Sequence, residues 1–156
     1  MAAPVLLCAD GSELSTEALR AGLALLAPEL VPHVVVVLIE PDPSLLTGTG
    51  IAGGVMSTDA FQVAIDAADD QAKDVVSAVT GALGLDASTG IVLRGDPSFS
   101  ICQHAEEVGA AAIVIGTRGR GGFRRAVLGS VSDHVIRHAP CPVIVTTAHG
   151  ADHEPG

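Results

Sequence analysis

Apolar residues in this chain fall into short uninterrupted runs separated by longer stretches with helical spacing. Residues 4–9, PVLLCA, read as a buried first strand. From residue 12 to about 27, Leu14, Ala18, Ala21 and Leu25 recur at the interval of one helix face. Residues 34–39, VVVVLI, are apolar throughout, as expected of a strand covered on both sides. Further strands are expected at 89–93, 111–115 and 143–147. Between them the pattern predicts three more helices. The first starts at Asp59, which can cap it with Gln62 three residues on, and runs to about residue 83. The next opens at Asp96-Pro97, an N-cap followed by proline at the first helical position, and reaches about Val108. The last covers 130–138. Residues 41–58, PDPSLLTGTGIAGGVMST, carry no periodicity and read as a loop.

Each strand is thus followed by a helix. Right-handed crossovers turn that order into an α/β fold, a Rossmann-like parallel sheet with helices on both faces. Ligands in such sheets bind at the carboxyl ends of the strands, where the strand order reverses. Residues 1–148 read as one domain and 149–156 as a disordered tail.

Composition narrows the function. The 156 residues are 48% apolar but only 2% aromatic, so the core is built from aliphatic side chains. Eighteen acidic residues against eight basic ones leave a net charge of -10, which argues against nonspecific binding to nucleic acid or to an anionic membrane. Cys8, Cys102 and Cys141 form no CxxC pair and imply a reducing compartment. The N-terminus lacks the basic region of a signal peptide, and no run is long enough to span a membrane. The expectation is a cytoplasmic protein.

One segment breaks the acidic pattern. Residues 116–130, GTRGRGGFRRAVLGS, hold five glycines and four of the eight basic residues, Arg118, Arg120, Arg124 and Arg125. The segment leaves the carboxyl end of the fourth strand and enters the last helix. Glycines allow close backbone approach to a ligand, the helix start offers free N–H donors, and arginines suit phosphate oxygens. Together these components favour several linked phosphates. Only the backbone of the loop receives a firm role, since each arginine could instead face solvent. Asp10, followed by Gly11 and Ser12, leaves the end of the first strand. It suits either of two tasks: accepting from ribose hydroxyls or a divalent metal beside phosphates, or capping the first helix.

These residues carry a family resemblance. The spacing Gly116-x2-Gly119-x9-Gly129-Ser130 resembles the loop of the ATP-binding branch of the universal stress protein family. DGSELS after the first strand, GDPSFSI at 95–101 and HAPCPVIV at 138–145 are similar to further family segments. The resemblance covers about residues 4–147. It implies a five-stranded sheet in the order 3-2-1-4-5. It also implies that Asp10 and Gly11 approach the adenosine and the magnesium side of ATP, with Asp10 as the metal-side group. Gly116, Arg118 and Gly119 would wrap the phosphates, Gly129, Ser130, Val131 and Ser132 would hold the terminal ones, and the backbone near Leu38 would meet adenine. Members commonly form homodimers through the final strand, here from Val143 to Thr147.

Other motifs carry less. Gly48-x-Gly50-x-x-Gly53 does not open a helix after a strand, and there is no GxxxxGK[ST]. His134 and His138 are four apart but lack a third ligand, so surface or capping roles are expected. No nucleophile, triad or carboxylate pair is set up for catalysis. The expected function is an ATP-binding regulator acting on an unidentified protein partner, with slow hydrolysis at most. The alternatives are a slow ATPase and a nucleotide-free dimeric interaction module.

Overall fold

A computed structural model describes residues 2–38, 43–49, 54–117 and 128–148. The strands are β1 (Pro4–Ala9), β2 (Val31–Leu38), β3 (Gly90–Arg94), β4 (Ala112–Gly116) and β5 (Val143–Thr146). The helices are α1 (Glu13–Leu23), α2 (Ser44–Thr47), α3 (Thr58–Leu83), α4 (Pro97–Glu107) and α5 (Ser130–His138). The strands form a five-stranded sheet in the order β3-β2-β1-β4-β5, and every described pairing is parallel. The order therefore reverses between β1 and β4, where Cys8 lies opposite Ile115.

Alternation along each strand feeds two cores. On one face Leu6, Cys8, Val35, Ile113 and Ile115 pack under Ile101 and Ala105 of α4 and Val135 of α5. On the other, Val5, Leu7, Val34 and Val114 meet Leu19 of α1 and Val79 of α3. Val36 and Leu38 continue that second face against Ala72 and Val76 of α3. Leu6, Leu7, Leu19 and Ile113 are wholly buried. Each contributes about 1.5–3 kcal/mol relative to exposure.

Several boundaries differ from the sequence expectation. The N-cap of α3 is Ser57, whose hydroxyl accepts from the Ala60 N–H at 3.2 Å. Asp59 lies inside the first turn, where its charge complements the helix dipole. The α1 helix stops at Leu23 instead of about residue 27, because Pro28 cannot continue it. The chain closes there with four-residue turns, Leu25 N–H to Gly22 O and Leu26 N–H to Leu23 O. The 41–58 segment is not loop throughout, since it contains the single turn of α2. Strand β2 begins three residues early and includes Pro32, opposite Val5 of β1. Pairing with β3 starts only at Val34, so the missing proline N–H falls where β2 has one neighbour. Strand β3 is preceded by a 3-10 turn at Ala87–Thr89. The expected tail at 149–156 lies outside the described residues.

Close approach of α1 to the sheet depends on Gly22, where a Cβ would meet Val114 Cγ1 at 2.4 Å. The Thr146 hydroxyl donates to the Ala18 carbonyl of α1 at 2.7 Å from a buried position, tying helix to edge strand. Gly22→Ala should therefore destabilise the protein. An overpacking cost of about 1–3 kcal/mol outweighs the roughly 1 kcal/mol that alanine gains over glycine in a helix. Gly81→Ala should do the opposite, since a Cβ there meets nothing within 4 Å. Urea midpoints of the two variants moving in the same direction would contradict this packing.

Burial pushes the Cys8 thiol up to about 12 from 9.0, with Cys102 and Cys141 nearby adding to the effect. The folded state thus keeps the proton longer than the unfolded state does. Its contribution to stability is complete below pH 9 and is lost as pH rises from 9 toward 12. Urea melts over that range should fall more steeply for the parent than for Cys8→Ala, and equal slopes would refute the assignment.

Candidate functional site

The reversal of strand order sets the ends of β1 and β4 side by side, about 4.8 Å apart. Asp10 leaves the first, and Thr117 leaves the second. The Gly129 N–H donates to the Thr117 carbonyl at 3.4 Å, and the Thr117 N–H donates to the Thr146 carbonyl at 2.9 Å. The base of the glycine-arginine segment is thereby pinched shut where it enters α5. Arg118, Gly119, Arg120, Arg124 and Arg125 lie outside the described residues.

The start of α5 differs from the starts of the other long helices. Ser12, Ser57 and Asp96 each cap a helix with a side-chain oxygen. Gly129 is the N-cap of α5 and offers none. The first intrahelical acceptor pairing there is Asp133 N–H to Gly129 O at 2.9 Å. The N–H groups of Ser130, Val131 and Ser132 precede it and have no partner within the helix. Ser132 is 3% exposed, and its hydroxyl donates back to the Gly129 carbonyl at 3.1 Å. Its backbone, not its hydroxyl, is what it can offer a ligand. Ser130 is exposed. Asp133 turns along the helix to Arg137, with contacts of 3.1 and 3.2 Å.

Neither glycine described here needs its residue type for its own backbone. Gly116 is the last residue of β4 and extended, and Gly129 sits at φ -63 and ψ 156. Among the described residues at this edge, the positive φ belongs to Gly11, at +83, where the chain turns from β1 into α1.

Of the two tasks open to Asp10, capping is excluded. The cap is Ser12, whose hydroxyl accepts from the Ser15 N–H at 3.1 Å. Asp10 braces it from behind: Oδ1 accepts from the Ser12 N–H at 2.9 Å and from the Ser12 hydroxyl at 2.7 Å. Sequence reasoning passed over Ser12 and Ser15 as site residues, although S-x-x-S in DGSELS was the available signal. Thr117 was missed too, because its role consists of backbone bonds. Leu38 ends β2 with its carbonyl accepting from the Gly95 N–H at 3.1 Å, and Gly95 takes φ +109 to reach it. A carbonyl oxygen can accept two hydrogen bonds.

The other candidate motifs do not join this site. His134 and His138 stack with centroids 4.1 Å apart, and His138 Nδ1 lies 2.9 Å from the His134 carbonyl. Among the described residues no group of three or more His, Cys, Asp or Glu side chains could hold a metal. Cys102 packs inward beside Cys8, and His104 helps line a cleft of about 180 Å³ with Leu93, Arg94, Ser100, Gln103 and Glu107. The ionic contacts of Asp69 with Lys73 and Arg94, which lower its carboxyl pKa, lie on α3 and β3.

Comparison with known proteins agrees with this fold. Residues 1–147 match the model of the universal stress protein family. Universal stress protein YxiE of Bacillus subtilis is 30% identical over 145 residues, covering 90% of this chain and 96% of that protein. Among solved structures, a universal stress protein from Lactobacillus plantarum superposes with TM-score 0.70 at 22% identity, covering 92% of this chain and 97% of that one. A family protein from Arabidopsis thaliana with AMP bound superposes at 0.58 and 18% identity, covering 99% and 97%.

Two substitutions separate backbone need from ligand need. A Cβ at Gly129 would sit 3.4 Å from Ser132 Oγ and 3.8 Å from the Thr117 carbonyl, ordinary contacts. Gly129→Ala should therefore change stability by no more than about 0.5 kcal/mol. Ser12→Ala should cost about 1 kcal/mol or more, because a cap and a partner of Asp10 go together. Denaturation of both variants checks the pair, and a large loss at Gly129 would show that its backbone is strained after all.

Proposed function

The chain belongs to the universal stress protein family, and from that premise we propose that it binds an adenine nucleotide, ATP with magnesium, at the ends of β1 and β4. The observation that carries this reading is the α5 N-terminus. It has no side-chain cap, and it is tied through Gly129 to the residue after β4. The N–H groups of Ser130, Val131 and Ser132, which have no acceptor within the helix and lie at the positive end of its dipole, suit terminal phosphate oxygens. Gly116 and Gly119 let backbone amides reach the same phosphates, and the Arg118 guanidinium adds forked donors. Asp10, beside Gly11 across the strand order reversal, accepts from ribose hydroxyls. The carbonyl of Leu38 receives the adenine amino group. The AMP found in the Arabidopsis relative supports an adenine nucleotide as the class of ligand.

One carboxylate fits magnesium only when phosphates and water supply the remaining ligands, which is how that ion is usually held. Asp10 is the protein group for it. The metal would neutralise phosphate charge, and the protein's part is to orient the nucleotide.

In this reading hydrolysis is slow at most, and the bound state acts as a signal. The nucleotide orders the surface around 116–130, and a protein partner in the cytoplasm reads that surface. Among the described residues no helix is long and apolar enough to cross a membrane. The chain works as a homodimer through β5. This edge strand pairs only with β4 among the described residues, and its Val145 is 38% exposed.

Calorimetric titration with ATP and magnesium tests the site. The parent should bind saturably, while Gly116→Ala/Gly119→Ala and Gly129→Ala should lose roughly tenfold or more in affinity with their folds intact. A folded parent, stripped of co-purified nucleotide, that binds neither ATP nor AMP would end the nucleotide reading. Sedimentation of Val145→Lys tests the dimer: the charge should shift the protein toward monomer, and an unchanged mass would place the interface elsewhere.

A further inference from the structure

The network around Asp10 departs from an ordinary capping box. In that motif the side chain at the third helical position reaches back to the N-cap N–H. Here the Ser12 N–H is taken by Asp10 Oδ1 at 2.9 Å. Ser15 holds the third position and reaches two residues further back, its hydroxyl accepting from the Asp10 N–H at 3.4 Å. The Ser15 N–H in turn donates to Ser12 Oγ at 3.1 Å, and the Ser12 hydroxyl donates to Asp10 Oδ1 at 2.7 Å. The loop of bonds is closed. It grips Asp10 by its backbone from one side and by its carboxylate from the other. Ser15 is 4% exposed, while Asp10 and Ser12 are half-buried at the open edge of the sheet.

We propose that Ser15 is a positioning residue for Asp10. It fixes the peptide from which the carboxylate projects and, through Ser12, the direction in which that carboxylate points. The inference rests on the nucleotide reading above, in which Asp10 meets the ribose hydroxyls. Ser15, enclosed beneath the edge, acts on the ligand through Asp10. The Ser12 hydroxyl is committed twice, its proton to Asp10 and a lone pair to Ser15, so it belongs to the support and not to the phosphate contacts. A preset carboxylate loses little rotamer freedom on binding. Releasing it should weaken affinity by roughly five- to tenfold.

A double-mutant cycle with ATP and magnesium tests this. Ser15→Ala should weaken binding roughly fivefold in the parent. In an Asp10→Ala background the same change should alter affinity less than about twofold. Equal losses in both backgrounds, or none in the parent, would overturn the positioning role while leaving nucleotide binding in place. A parent that binds no adenine nucleotide would overturn both. Hydrogen exchange of the unliganded protein gives a second readout that needs no measurable affinity. In Ser15→Ala the Asp10 amide should exchange faster, while Ala18 and Leu19 on the same helix keep their protection. Uniform loss of protection along α1 would make Ser15 a structural residue only.

Discussion

β1 is hydrogen-bonded on both sides, to β2 and to β4, and the remaining architecture follows from that double pairing. A parallel strand cannot reach its neighbour by a tight hairpin, so each step needs a crossover helix. The chain spends α1 and α3 on one face, then returns to β4 on the other side of β1 and covers the second face with α4 and α5. The reversal leaves two strand ends adjacent with no crossover passing between them. Asp10 and Thr117 leave from those ends, and the start of α5 is drawn onto the second by the Gly129–Thr117 bond. The site is thus a by-product of sheet order, and its parts lie far apart in sequence because the order reverses there.

How much of this was legible in the sequence depends on the range of the interaction. Asp96-Pro97 marked the start of α4 because a cap and a proline act within one turn, and Asp96 does accept from the Phe99 N–H at 3.0 Å. The apolar runs located all five strands within a few residues, since full burial requires them. Asp59 misled because two potential caps lay two residues apart, and only the backbone path selects Ser57. Gly22 carried no visible signal at all: its reason is Val114, which arrives from the other half of the chain. The same limit hid Thr117, whose part is played by its backbone.

Asp10 shows both limits in one residue. Its position after β1 was legible, and so was the pair of tasks open to it. What decided between them was a set of hydrogen bonds no longer than 3.4 Å among Asp10, Ser12 and Ser15. Three residues each capable of capping compete for one helix start, and the geometry gives the cap to Ser12 alone. Releasing Asp10 from the cap does not set it loose, because the same bonds hold its carboxylate.

A chain with net charge -10 looks an unpromising host for a polyphosphate. The objection weakens once distance is considered. At physiological ionic strength exposed charges farther apart than about 8 Å are largely screened, so carboxylates beyond that distance contribute little field at the ends of β1 and β4. What remains is local. The first N–H groups of α5 have no acceptor within the helix, and Asp133, the acidic residue in its first turn, is turned to Arg137. Half of the chain's basic residues fall between β4 and α5. In the proposed reading the α5 dipole and the arginines of this segment favour an anion, while the acidic composition opposes adventitious contact with nucleic acid. The two charge patterns serve different distances, which is why they can coexist in one small domain.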